Sequence, residues 1–409
     1  MSVRYGEKRK PIAHHLVLIH LKAWTTNSLS EHVSDLLTAC ISILGILLVA
    51  GLWPFHAPKN DVTWLTNGEG IRFGRYGAIV STSSFLPQPD KASGSIELWL
   101  EPSVIRGTRT ILSFDSSAHP GVPFSLRQDD DALIVVQDNE DKNGNSWTAW
   151  SVLKRVFYPG KPVFVTIILG PRHTSICLDG IFRKDFIIGD SWNNFTGRLV
   201  VANSPNDSNS WPGIMRGMAI YNGQLTQDEI REHYDSWIKG NRPKLLREEA
   251  PIALYLFNER AGDTAYNEVD HRTDLKIPTR YFVLHSAFLR SPWHTYHPSW
   301  SYWKDLTINI AGFVPFGFSA TMYFSAVRQL KAAAPVSVLL GFFISLVIEI
   351  LQAFLPTRDS GMSDLITNTL GTALGAMLYA YFGRTSWPAA RLETFASRSP
   401  LHQAGAPRQ

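Results

Sequence analysis

Between Ser345 and Gly371 the chain reads SLVIEILQAFLPTRDSGMSDLITNTLG. Glu349 and Gln352 are three residues apart and share one helix face, which Gly341 and Ser345 extend. Asp364, Asn368, Gly371 and Gly375 fall at helical spacing on one side of the next apolar stretch. Arg358 stands in the connecting loop. Carboxylates, amides and a guanidinium in such apolar surroundings have two uses. They can form a site for a polar ligand or a reaction, with Glu349 as candidate acid or base on a lipid-linked substrate. Alternatively, an Arg358–Glu349–Asp364 network with Asn and Gln hydrogen bonds can hold helices together. A charge at mid-bilayer costs ~2.5–3.5 kcal/mol, so several together imply a wet pocket or a paired network. The ligand site is the preferred reading, because ionisable groups inside membranes mark function.

The pattern occurs twice. DLTINIAG begins at Asp305 and DLITNTLG at Asp364, which aligns Asp305, Asn309 and Gly312 with Asp364, Asn368 and Gly371. A parallel repeat of two-span units is expected to flank a shared site. Counted along the helix, Glu349 lies roughly 9 Å from the outer end of its span. The polar set Asp305, Asn309, Glu349, Gln352, Arg358, Asp364 and Asn368 is therefore expected to converge on one membrane face. Small residues on these helices allow close approach. Pro315 and Gly317 interrupt the second span, where a kink is expected.

Four apolar stretches, 36–55, 306–327, 332–355 and 362–382, are each long enough to span a bilayer. Some 35 polar residues precede the first, so an uncleaved span is expected rather than a signal peptide. Lys and Arg near the span ends put the N-terminal segment, the 328–331 loop and the tail on the cytoplasmic side. The net charge of +4 is mostly this topology signal and does not point to nucleic acid. Cys40 and Cys177 fall in a span and a strand, so no disulfide framework is implied.

From about 62 to 240 the chain reads as short strands separated by Gly, Pro, Asn and Asp, the pattern of an antiparallel sandwich or jelly roll. GSIELWLEPS alternates Ile96, Leu98 and Leu100 against Glu97, Trp99 and Glu101, a strand with one buried face. LTQDEIREHYDSWI is a helix that Thr226 caps, with Glu229 completing a capping box. SIELWLEP, VTIILGPRHTSICLDG and GIMRGMAIYNGQLTQDEIREHY resemble the concanavalin A-like, laminin-G-type lectin/glucanase sandwich. A first strand usual in such domains stands instead at ALYLFNERAGDTAYNEVDHRTDLKIP (253–278). A circularly rearranged sandwich is expected, with 252–277 supplying that strand; the alternative is a linker ending in an irregular extension.

Glucanases on this fold use Glu-x-Asp-x-Glu; here Trp99 replaces the central Asp between Glu97 and Glu101. Hydrolysis is therefore not expected, and the two glutamates read as solvent-facing. Loop tryptophans Trp147, Trp150, Trp192 and Trp211 have polar neighbours and can stack on sugar rings; Trp147, Trp192 and Trp211 are the candidate glycan contacts. Protein contact and plain packing remain open for them. Asp138, Asp141, Asn143 and Asn145 suggest a calcium loop, but Ser146 replaces the glycine expected at its sixth position, so a polar turn is the better reading. His294 and His297 lack a further ligand in their stretch. No cofactor and no metal are expected.

KDLTINIAGFVPFGF, EILQAFLPTRDSGMSD and DLITNTLGTALG resemble the VanZ-like membrane proteins over 302–382 and the first span. The resemblance implies a bacterial cell-membrane protein, with a link to glycopeptide-antibiotic resistance through the family's namesake. It carries signature positions to Asn309, Pro315, Gly317, Glu349, Gln352, Arg358, Asp364, Asn368 and Gly371. The domain plan is a cytoplasmic segment (1–35), a span (36–55), an extracytoplasmic sandwich (62–278), an aromatic juxtamembrane segment (279–304), membrane helices (305–382) and a disordered cytoplasmic tail (383–409). Trp293, Trp300 and Trp303 would form an interfacial belt. The expected fold class is an α-helical membrane bundle of about four spans plus an all-β jelly-roll sandwich. The expected partners are the lipid bilayer and an envelope glycan or glycolipid.

Overall fold

The computed structural model describes residues 34–66, 68–86, 93–116, 123–140, 146–187, 195–240, 251–286, 288–295, 300–326 and 329–383. Two compact units emerge. One comprises Met1–Trp53, Phe288–Ala353 and Ser360–Gln409; the other comprises Pro54–Ala287 and Phe354–Asp359.

The second unit is an all-β sandwich. Its early strands are β1 (Val62–Trp64), β2 (Ile71–Phe73), β3 (Ile79–Phe85), β4 (Gly94–Pro102), β5 (Thr108–Asp115) and β6 (Phe124–Asp129). They are followed by β7 (Ala132–Glu140), β8 (Ser146–Leu153), β9 (Val163–Leu169), β10 (His173–Leu178) and β11 (Ile181–Ile187). The last are β12 (Gly197–Val201), β13 (Gly213–Tyr221), β14 (Ala253–Tyr255), β15 (Thr264–Ala265) and β16 (Leu275–Lys276). One sheet runs β1-β2-β13-β4-β9-β10-β11, with β14 also on β13; the other runs β15-β16-β3-β12-β5-β6-β7-β8. All strand pairs are antiparallel, and the inner faces bury Ile96, Leu98, Leu100, Phe114, Phe124, Leu126 and Val135 in one core.

The 253–278 piece is part of both sheets. Ala253–Tyr255 pairs with β13 and Leu275–Lys276 with β3. Tyr255 and Phe257 are buried and stack on each other with ring centroids 6.2 Å apart. Packing continues past residue 278. Lys59 bridges Arg280, the Tyr281 N–H donates to the Pro58 carbonyl at 3.0 Å, and Tyr281 is buried. Asn60 joins the two ends: its side-chain amide donates to Ala78 O at 2.8 Å and Pro278 O at 2.9 Å. The chain thus enters and leaves the sandwich through hydrogen-bonded neighbours.

Helix α2 (Gln227–Lys239) packs outside the first sheet. Thr226 and Glu229 form the reciprocal capping box expected from sequence, and Gly240 closes the helix with a left-handed φ of 77°. This helix corrects the reading of β4. Both faces of that strand are buried, because α2 residues Ile230, His233 and Trp237 cover the face that carries Glu97.

In the first unit lie α1 (Ser34–Leu52), α3 (Trp300–Ala326), α4 (Ala333–Gln352) and α5 (Met362–Leu378). Among the described residues, α1 and α4 are long and apolar enough to cross a membrane. The other two apolar stretches contribute α3 and α5, which are not among those two helices. Helix α3 runs through Pro315 without interruption.

Candidate functional site

The helical unit gathers much of the polar set around α4. A stripe of small residues, Ser337, Gly341 and Ser345, leads to Glu349 and Gln352, all buried on one face. At Gly341 a Cβ would lie 2.3 Å from the Thr372 hydroxyl of α5, so only glycine permits this approach. One turn further along α4 and one turn back along α5, the Asn368 amide donates to the Ser345 hydroxyl at 2.9 Å. The Glu349 carboxylate, 1% exposed, accepts the Gly361 N–H at 2.8 Å. Gln352 donates to the Gly51 carbonyl of α1 at 2.9 Å.

Two further interactions frame this set. Asn309 of α3 donates to Asp364 at the start of α5, at 2.9 Å. The loop leading into α5 is pinned by the 288–290 segment: Leu289 N–H donates to the Ser360 hydroxyl, Arg290 N–H to the Ser360 carbonyl, and Met362 N–H to the Arg290 carbonyl. Ser360 itself is buried. The oxygens Oε1 of Gln352 and Oδ1 of Asn368 are buried without a hydrogen-bond partner among the described residues. In an apolar helix bundle such acceptors cost about 1–3 kcal/mol each unless something donates to them.

Of the predicted residues, Asn309, Glu349, Gln352, Asp364 and Asn368 are therefore tied into this helical unit. Asp305 is not; it is exposed at the start of α3. Arg358 is also exposed and lies in Phe354–Asp359, which groups with the sandwich unit. The Asp305–Gly312 and Asp364–Gly371 copies are not equivalent in their surroundings. At Gly371 a Cβ would stand 2.2 Å from the Ile310 carbonyl, and at Gly375 2.1 Å from that of Val314. Gly317 is equally tight against Thr372, at 2.1 Å, whereas a Cβ at Gly312 would meet only Leu47, at 3.8 Å. Gly312 thus faces Leu47 of α1 at ordinary contact distance instead of a close backbone approach. Ser345, which shares the Glu349 face in the sequence pattern, is the acceptor for Asn368, whereas Ser360 carries no signal in the sequence because serine in a turn is ordinary.

On the sandwich, Glu97 is the largest departure from expectation. It is fully buried, not solvent-facing. Tyr221 Oη donates to it at 3.1 Å, His233 Nδ1 lies at 3.1 Å and Trp237 Nε1 donates at 3.4 Å. Glu101 pairs with Arg216, whose guanidinium lies 5.8 Å from the centre of the Trp99 ring. Glu97 is thus sealed from solvent, and Glu101 is held in an ion pair.

Trp211 is removed from the candidate glycan contacts. It is fully buried, and its indole N–H donates to Gln128 at 2.7 Å inside the core. Trp147 and Trp150 on β8 are 37% and 55% exposed. Strand alternation places Trp147 with Ser151 and Leu153 on the core side, at the strand's end, and Trp150 with Thr148 and Val152 on the outer side. Arg127 of β6 holds its guanidinium 5.6 Å from the Trp150 ring and donates to Ser125 at 3.1 Å. Burial pulls the Arg127 guanidinium below its ordinary range, countered by the nearby charges of Asp207 and Asp138. Trp192 and the calcium candidates Asp141, Asn143 and Asn145 lie outside the described residues, as does His297. Among the described residues no group of three or more His, Cys, Asp or Glu could hold a metal ion.

Two family models match successive parts of the chain. A VanZ/LLP1 model matches residues 252–383. A model of the concanavalin A-like lectin/glucanases superfamily matches residues 73–231. The chain joins a VanZ-like domain to a concanavalin A-like sandwich. The VanZ-like match begins well before residue 302, so its first part covers β14 to β16, which fold into the sandwich. The VanZ-like domain and the two apolar helices suggest a membrane protein. No curated protein matches the chain. Among solved structures, a receptor binding domain of botulinum neurotoxin mosaic serotype C/D is similar, at 14% identity over 44% of this chain and 45% of that one, with a TM-score of 0.34. The botulinum neurotoxin serotype D binding domain gives 15% identity, the same two shares and a TM-score of 0.34. The chain thus spans under half the length of these structures.

Proposed function

We propose that this is a multi-pass cell-membrane protein of a bacterial envelope whose lectin-like sandwich recognises an envelope glycan or glycolipid. Helices α1, α3, α4 and α5 hold it in the bilayer, with both termini cytoplasmic and the sandwich outside. The polar set around Glu349 engages the polar part of an amphipathic ligand. A contribution to glycopeptide-antibiotic tolerance belongs to the same proposal.

The observation that carries this reading is the pairing of the sandwich's two ends. Asn60 N–H donates to the Thr279 carbonyl at 3.2 Å, and the Asn60 side chain reaches Pro278. A recognition domain whose ends are clasped together suits insertion between two membrane helices. The apolarity of α1 and α4 and the lectin-type family match support it further.

The test has two arms. Single cysteines at exposed positions Thr63 and Lys276 should react in intact cells with a membrane-impermeant maleimide, whereas one in the tail after Gly383 should react only after lysis. Native mass spectrometry of the gently solubilised protein should then show a co-purifying saccharide or glycolipid. Protection of the sandwich cysteines in intact cells would reverse the topology. Absence of any bound saccharide or lipid would leave an anchor for a protein-binding sandwich.

A further inference from the structure

The outer face of the second sheet carries a surface built differently from the rest of the sandwich. Registers across β8, β7 and β6 align Trp150 with Val136 and Ser125, Val152 with Ile134 and Arg127, and Thr148 with Asp138. These side chains therefore share one face. Ile134 and Val136, between the outer strands, are 6% and 3% exposed. Trp150 and Val152 remain open, at 55% and 37%. Polar groups border the ring. Thr148 donates to Asp138 at 2.8 Å, which fixes that carboxylate beside the tryptophan. Arg127 lies against the ring and spends its Nε on Ser125.

We infer that this face, centred on Trp150, binds a neutral, β-linked pyranose oligosaccharide; the inference rests on the glycan reading above and names its site and ligand class. A β-linked pyranose with equatorial substituents presents a flat C–H face, which stacks on an indole, while fixed donors and acceptors at the rim meet its hydroxyls. Arg127 orients the ring by its cation–π contact and offers its remaining N–H donors. Asp138 accepts from sugar hydroxyls. Arg127 and Asp138 bring a guanidinium and a carboxylate to the same face, which suits a neutral sugar better than an anionic one. Trp147 plays no part, because alternation turns it to the other side of the strand.

The full-length protein in detergent micelles should be titrated with chitotetraose, cellotetraose and the α-linked maltotetraose, following tryptophan fluorescence and heat. Saturable binding of at least one β-linked sugar, in preference to maltotetraose, is expected. Trp150→Ala should weaken it at least tenfold, about 1.4 kcal/mol, and Arg127→Lys severalfold. Trp293→Ala, which removes an exposed tryptophan of the helical unit, should leave it unchanged. Near-ultraviolet circular dichroism of each variant controls for folding. Binding that survives Trp150→Ala overturns this site but leaves glycan recognition standing. Failure of the wild type to bind either β-linked sugar overturns the inference, and the co-purification experiment separately decides the broader reading.

Discussion

His233 Nδ1 of α2 lies 3.1 Å from the Glu97 carboxylate of β4, and both side chains are sealed from solvent, at 4% and 0% exposure. The pair fastens the helix to the outer face of the first sheet. Tyr221 stacks on His233 at 5.3 Å and donates to the same carboxylate. Glu97→Ala removes the carboxylate that Tyr221, His233 and Trp237 share. We expect a loss of ~1–3 kcal/mol, the range for deleting one partner of a buried hydrogen bond, and a smaller loss for Glu97→Gln. Thermal melts of the full chain followed by near-ultraviolet circular dichroism check this. An alanine variant that melts with the wild type would show that the network adds no stability.

Much of the secondary structure was legible because it follows local rules. The capping box at Thr226 and Glu229 needs only four consecutive residues, and it forms where expected. The strand at Gly94–Pro102 was legible, but its second buried face was not. That face depends on His233, which is 136 residues away in sequence from Glu97. Trp211 misled for the same reason. Its polar neighbours signal a loop, while its burial depends on Gln128 across the core. In the helices, acidic and amide side chains in apolar segments declared themselves, and Asn309, Glu349 and Asn368 have partners on neighbouring elements. The internal repeat did not predict environment. Equivalent glycines meet different neighbours, since which faces of α3 and α5 touch is fixed by tertiary packing.

That difference gives a paired prediction. Gly371→Ala drives a methyl group into the Ile310 backbone, where nothing flexible can yield, whereas Gly312→Ala enters ordinary contact distance of Leu47. The first should cost ~1–3 kcal/mol by overpacking, and the second should be neutral or slightly favourable through helix propensity. Thermal aggregation in detergent micelles distinguishes them. Equal melting of the two variants would mean that α3 and α5 do not pack this closely.

Cys177 provides a pH-dependent test. It is buried on β10, and burial, with the charges of Asp185 and Glu97 adding, raises its thiol to about 11. At pH 8 about one molecule in a thousand then carries a thiolate, the form that reacts. In a Cys40→Ser background the folded protein should resist maleimide at pH 8 and label fully in guanidinium chloride. The folded thiol holds its proton more tightly than the unfolded one. Its contribution is therefore complete below about pH 9 and is lost as pH rises from 9 towards 11. Cys177→Ala should flatten that alkaline fall in melting temperature. Rapid labelling of the folded protein would contradict the burial of this strand.

Glu349 separates support from chemistry. Its carboxylate accepts the Gly361 N–H, which lies beside the turn that Ser360 and Arg290 hold. Glutamine keeps an acceptor at that place, so Glu349→Gln should melt within about 1 kcal/mol of the wild type, an ordinary hydrogen-bond increment. Alanine leaves a buried donor unmet, at about 1–3 kcal/mol, and hydrogen exchange across 360–362 should quicken. If the acid also serves a bound ligand, Glu349→Gln should lose the co-purifying lipid or saccharide while its melting and its exchange stay near wild type. Identical melting and exchange in all three proteins would remove Glu349 from the support of this turn.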